Sequence, residues 1–184
     1  MMSSAHLTRI FEQALSQKNS SSAAYIYDAP IHYIVLTKED NQVDLAFIKR
    51  YTEILDEIEA TEGPGVVLTI GVGKRHFSTG FDMTKFLEDP DNYYRSNDEF
   101  KNLLDRVLRF PLPTMCVFRG NSMAAGLFLG LAHDFRIMSN KRGKVCFNEL
   151  AFGGFLPPPL MSLMKAKLKP AVANKMQYAV FLNT

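Results

Sequence analysis

The sequence has little with which to tie itself together covalently or through a metal. It holds two cysteines, Cys116 and Cys146, and four histidines among 184 residues. Both cysteines sit in apolar, strand-like runs, which reads as two buried free thiols in a reducing compartment rather than a disulfide framework. His6, His32, His76 and His133 show none of the close ligand spacing of a zinc motif, so no metal site is expected. Charge of one sign is also missing. Lys plus Arg number 21 against 19 for Asp plus Glu, a net +2 with the cations scattered, which gives nucleic-acid binding little support. No apolar run reaches the roughly 18 residues of a membrane span. Neither common nucleotide loop is present. Lys74 is followed by Arg75 where a P-loop needs Ser or Thr, and Gly71-Val72-Gly73 is followed by His76 where a dinucleotide loop needs its third glycine.

What is present is enough for one core: 47% hydrophobic residues and no linker-like composition dividing the chain. Residues 1–24 stand apart as a helix and linker. Leu7, Ile10, Phe11 and Leu15 recur at helical spacing before a Ser-rich tether at Ser16–Ala24, which describes either an organelle presequence or a surface helix. No secretory signal is expected. The core then runs from 25 to 184. Ala24–Tyr27 and Ile31–Leu36 read as two strands around the turn Asp28-Ala29-Pro30. Leu45, Ile48, Tyr51, Leu55 and Ile58 form the stripe of an amphipathic helix, with Asp44 as its cap and Glu62-Gly63-Pro64-Gly65 as its stop. Val66–Ile70 follows as a short apolar strand covered on both faces. Strand, helix, strand implies an α/β fold with crossover helices.

Gly71–Phe86 reads as a glycine-rich turn, and Leu87–Asn97, acidic and aromatic with Pro90, as a mobile segment. Phe100, Leu103, Leu104, Val107 and Leu108 mark a helix stopped by Pro111 and Pro113. The stretch Phe118–Glu149 organises the rest. A strand at Met115–Phe118 leads into it, followed by a glycine turn, a helix opened by Ala124, Ala125 and Gly126, a strand at Phe135–Met138, and a basic turn with Lys141, Arg142 and Lys144 leading to Glu149. A strand feeding a helix N-terminus suits stabilisation of negative charge. Beyond it, Gly153, Gly154 and Pro157–Pro159 predict a rigid, irregular connection. A short helix follows over Leu160, Leu163, Met164 and Leu168, then another from Pro170 with Val172, Met176 and Val180 on one face.

Two of these segments together resemble the enoyl-CoA hydratase/isomerase family, the crotonase superfamily. HFSTGFDM is similar to its first signature and FRGNSMAAGLFLGLAHDFRIMS to its second, and the likeness extends over Ile31–Thr184. The resemblance implies a spiral of ββα repeats and an acyl-CoA thioester ligand, with coenzyme A as part of the substrate and no separate cofactor. It also implies an oxyanion hole made by the backbone amides of Phe81 and Ala125. Such amides stabilise the enolate formed when a proton leaves the carbon beside the thioester. Gly80, Asp82 and Gly126 belong to the same substrate-binding signatures, and Lys74 and Arg75 stand where coenzyme A phosphates would be met.

Hydratases of the family use two glutamates. The first position falls at Phe128, which cannot transfer a proton, and the second at Glu149. One carboxylate with an oxyanion hole suits isomerisation, taking a proton from C2 and returning it to C4. Asn148-Glu149 resembles the 3,2-enoyl-CoA isomerase branch. Without the resemblance Glu149 reads as a surface carboxylate, although Cys146, Phe147, Leu150 and Phe152 would desolvate it. The rival expectation is a non-catalytic acyl-CoA-binding or assembly protein of the same fold. The end at Thr184 feeds it, because the resemblance implies further C-terminal helices, trimers or hexamers, and a peroxisomal or mitochondrial-matrix location.

Overall fold

Four times the chain runs through a pair of strands and then helix. The structure is a computed structural model that describes residues 3–17, 22–139 and 143–177. Residues 18–21 of the expected tether, Lys141, Arg142 and Val180 lie outside these. After α1 (Ser4–Ser16), the first unit is β1 (Ala23–Asp28), β2 (Ile31–Leu36) and α2 (Leu45–Glu59). The second is β3 (Val66–Gly71), β4 (His76–Ser78), α3 (Met83–Glu88) and α4 (Pro90–Leu108). The third is β5 (Thr114–Phe118), β6 (Asn121–Met123) and α5 (Ala124–Ala132). The last is β7 (Phe135–Met138), β8 (Val145–Cys146), a 3-10 turn at Glu149–Phe152 and α6 (Pro158–Lys167), after which α7 (Pro170–Gln177) packs back.

From the second unit on, the first strand of each pair joins a large sheet and the second joins a small one. The large sheet has the order β1-β2-β3-β5-β7, antiparallel only between β1 and β2; the small sheet is β4-β6-β8, all parallel. This is the expected α/β architecture of repeated ββα units. One face of the large sheet sends Ile34, Leu36, Val67, Cys116 and Phe118 into a core with α2, α4 and α5. The other presents Tyr33, Val35, Leu68 and Ile70 to α1.

The N-terminal helix is fastened to that second face, with Ile10 and Ala14 fully buried and Leu15 left 55% exposed. Burying a side chain like Ile10 contributes roughly 1.5–3 kcal/mol. Asp44 caps α2 as expected, its Oδ1 accepting from Phe47 N at 2.7 Å. Both cysteines are free and buried.

Three expectations are corrected. The segment expected to be mobile, Leu87–Asn97, is mostly helix: Asp89 accepts from Asp91 N at 3.1 Å and Pro90 stands in the first turn of α4. Proline is well suited there, because its φ is already helical and its missing N–H would have had no partner. For the same reason two of the three consecutive prolines, Pro158 and Pro159, open α6 rather than lengthen the irregular connection. Finally, His76–Ser78 and Asn121–Met123, read as turns, are the paired strands of the small sheet, with His76 opposite Asn121. Strands of three residues beside glycines carry no periodicity to read.

Candidate active site

The first wall of the site grows from the end of β4. Ser78 Oγ donates to Asn41 O at 2.7 Å, and Thr79 N donates to Asp40 O at 2.9 Å. The chain then forms a single parallel bridge with Val43, in which Val43 N donates to Gly80 O at 2.8 Å and Asp82 N to Val43 O at 3.0 Å. In such a bridge alternate residues face opposite ways, so the N–H of Phe81 is turned away from Val43. It donates to no acceptor among the described residues. Gly80 has φ +93°, and a Cβ added there would lie 2.8 Å from Ala124 Cβ and 3.5 Å from Ala125 N. The backbone before Phe81 therefore rests directly against the start of α5.

That start is the second wall. No side chain caps α5, so its first-turn amides, Ala125 among them, keep no acceptor from a cap residue. Every residue from Ala125 to Ala132 is buried, so the helix N-terminus is carried up from the centre of the protein. Ala124 lines the cavity with φ +48°, a left-handed conformation that glycine adopts more readily. Ala125 turns its methyl into the core. A Cβ on Gly126 would meet Ser78 Cβ at 2.3 Å, so its glycine is required by the contact between α5 and β4, and it does not border the cavity.

Glu149 arrives through β8. Met123 pairs with Cys146, which sets the exit of β8 beside the start of α5. Phe147 N donates to Met176 O at 3.0 Å, and Gly154 N closes the 3-10 turn on Glu149 O at 2.9 Å. One carboxylate oxygen, Oε2, is buried with no hydrogen-bond partner among the described residues. Desolvation by burial holds the Glu149 pKa above the usual carboxylate range. Phe81, Ala124, Asn148 and Glu149 share the wall of an open cavity of about 210 Å³. A smaller cavity of about 120 Å³, bounded by Phe147, Met161 and Gln177, also borders Glu149.

The remaining sequence-expected residues are placed elsewhere. Asp82 Oδ1 accepts from Thr84 N and Lys85 N at 3.2 and 3.4 Å, so this carboxylate caps α3. The amides of Lys74 and Arg75 donate to Glu39 Oε1 at 3.2 and 3.4 Å. Both residues line an open groove with Gly120, Asn121 and Gly143, which shares no lining residue with the Glu149 cavity. Phe128 is buried against Phe147, with ring centroids 4.6 Å apart. His76, read as a surface turn residue, is partly buried in β4, its Nδ1 without a partner among the described residues.

His133 is fully buried. Its Nδ1 lies 2.8 Å from Leu129 O, which can only accept; Nε2 is thereby left to accept from Thr69 Oγ1 at 2.9 Å, and Tyr51 OH stands 2.6 Å from the same hydroxyl. Desolvation pushes the His133 pKa down to about 4. Asp134 accepts from both N and Oγ1 of Thr114 at 2.9 Å. Both residues hold elements together.

Sequence reasoning left Tyr93 unassigned and did not single out Asn97, yet both line the Glu149 cavity from α4. The signal that could have found them is Asp89-Pro90, a cap and first-turn pair that starts the helix ten residues before its apolar stripe.

A five-stranded and a three-stranded sheet built from ββα units, with the start of a buried helix and a desolvated carboxylate bordering one cavity, define the class to which this fold belongs. The chain belongs to the enoyl-CoA hydratase/isomerase family, whose model matches residues 28–180. It is 26% identical over 128 residues to enoyl-CoA delta isomerase 2, peroxisomal, of Arabidopsis thaliana, a match covering 66% of this chain and 53% of that protein. It is 30% identical over 121 residues to enoyl-CoA delta isomerase 3 of the same plant, covering 64% and 50%. The chain thus spans about half the length of these curated relatives. A probable enoyl-CoA hydratase from Mycobacterium tuberculosis H37Rv shares the fold with a TM-score of 0.80 at 21% identity, covering 85% of this chain and 66% of that one. An enoyl-CoA hydratase/carnithine racemase from Magnetospirillum magneticum does so with a TM-score of 0.81 at 19% identity, covering 89% and 63%.

Proposed function

We propose that this chain binds an unsaturated acyl-CoA thioester and moves its double bond from position 3 to position 2, with Glu149 carrying the proton. The observation that carries the reading is the Glu149 carboxylate, with one buried, unpartnered oxygen on the wall that also holds Phe81 and Ala124. A desolvated carboxylate is a stronger base than a solvated one. In this scheme Glu149 takes a proton from C2. The charge spreads onto the thioester oxygen, where the Phe81 and Ala125 amides and the α5 dipole stabilise it. The same carboxyl group then returns the proton to C4, leaving the double bond between C2 and C3. Phe128, in place of a second carboxylate, disfavours addition of water. The scheme uses only protein groups, and coenzyme A enters as part of the substrate. The names of the two plant relatives support the isomerase branch, and the first of them supports a peroxisomal location.

The test follows the proton. A 3-enoyl-CoA deuterated at C2 is incubated with the protein, and the product is read by mass spectrometry and NMR. Deuterium at C4 supports a single shuttle. A 3-hydroxyacyl product, or label lost wholly to solvent, would overturn it. Binding of the thioester with no turnover would instead support a non-catalytic role.

A further inference from the structure

The cavity beside Glu149 has a polar patch that a hydrocarbon chain does not require. Asn97 is 9% exposed, and its Nδ2 donates to Tyr93 O one turn earlier at 3.1 Å. Its other polar atom, Oδ1, accepts from no donor among the described residues, although the side chain lines the cavity. Tyr93 stands four residues earlier on the same face of α4. Its ring is held edge-on by Phe86 and Phe81, with centroids 5.0 and 6.4 Å away. Farther along α4 the buried residues are Phe100, Leu103, Leu104 and Val107. The helix is therefore polar where it meets the cavity and apolar where it meets the core.

We infer that Asn97 and Tyr93 are specificity-determining residues that favour an acyl group bearing a hydroxyl over a plain hydrocarbon chain. The inference rests on the acyl-thioester reading above. A plain chain filling the cavity strips water from Asn97 Oδ1 and leaves a buried acceptor unmatched. A hydroxyl on the chain donates to that oxygen, and the Tyr93 hydroxyl can then donate to the ligand's oxygen. Among the described residues no Lys or Arg lines the cavity, so a second carboxylate on the acyl group meets no counter-charge from them.

The experiment is calorimetric titration of the full chain with butyryl-CoA and with its 3-hydroxy and 4-hydroxy counterparts. At least one hydroxyacyl-CoA is expected to bind about tenfold more tightly than butyryl-CoA, the effect of one matched neutral hydrogen bond. In Asn97→Leu, which keeps the volume and removes the acceptor, the preference is expected to fall below about twofold. Tyr93→Phe keeps the ring contacts and is expected to reduce the preference in part. Equal binding of the three ligands to the unaltered chain overturns the inference while leaving the thioester reading intact. A preference that survives both substitutions overturns it as well. If Asn97→Leu does not fold, the Tyr93→Phe comparison decides in the same way. Binding of none of the three ligands overturns the thioester reading, and the inference with it.

Discussion

Glu149→Gln separates the chemistry of the site from its cost to the fold, because the two effects have opposite signs. The substitution keeps the shape and removes the charge. If Glu149 is the proton carrier, turnover of a 3-enoyl-CoA falls by about 10²- to 10⁴-fold, equivalent to roughly 3–5 kcal/mol of barrier. Stability moves the other way. Glu149 Oε2 is buried without a partner, and an unmatched charge costs more than an unmatched neutral amide. Relief of about 1 kcal/mol corresponds to a Tm higher by about 2–4 °C for a chain of this size. The pH dependence fixes the sign. Because burial raises the folded-state pKa, the folded protein holds this proton more tightly than the unfolded chain does. The penalty is absent below the ordinary glutamate range, grows as pH rises from there through the raised value, and is complete above it. The Tm gain of Glu149→Gln follows the same course, and wild-type turnover rises with pH through the same raised pKa. Turnover by absorbance of the conjugated product, with calorimetric melting across pH, measures both. Unchanged turnover would refute the base assignment, and a lower Tm at neutral pH would refute the claim that burial destabilises the charged carboxylate.

Three further outcomes are expected. Gly126→Ala drives a methyl into Ser78, where 2.3 Å is available, and costs about 1–3 kcal/mol in urea unfolding; no loss would show that α5 can shift away from β4 at little cost. Ala124→Gly releases the left-handed strain at φ +48° and raises stability by about 1 kcal/mol in the same assay; a loss would show that the methyl's packing outweighs the strain. His133 is neutral when folded, with a pKa near 4, so the unfolded chain binds the extra proton between about pH 6.5 and 4. Its stabilising contribution is complete above that window and is lost as pH falls through it. His133→Gln is expected to flatten this acid limb of a stability–pH curve.

Much of the fold can be read from local pattern because each element carries its own period or punctuation. The stripe from Leu45 to Ile58 after Asp44, the apolar run Val66–Ile70, and the small residues opening α5 all describe structure within a few residues of themselves. Phe128 and Glu149 were legible only through the resemblance that the two glycine-bearing segments carry, which marks the two positions; residue type then says that Phe128 cannot move a proton and Glu149 can. What failed locally was whatever needed a partner to define it. His76–Ser78 and Asn121–Met123 are strands only because they pair with each other, and Asp89-Pro90 looks like a loop until the helix behind it is seen.

Residue pattern therefore determined the fold class and the two glycine-bearing segments, and the resemblance those segments carry pointed to Glu149. Tertiary structure decided which of these meet. It directed Asp82 to the amides of α3, set Lys74 and Arg75 on a separate groove, and brought Tyr93 and Asn97 to the cavity that Glu149 lines. It also left Glu149 Oε2 buried without a partner. The physical reason is that desolvation and convergence belong to a volume assembled from β4, α4, α5 and the turn after β8, and no short stretch of chain contains that volume.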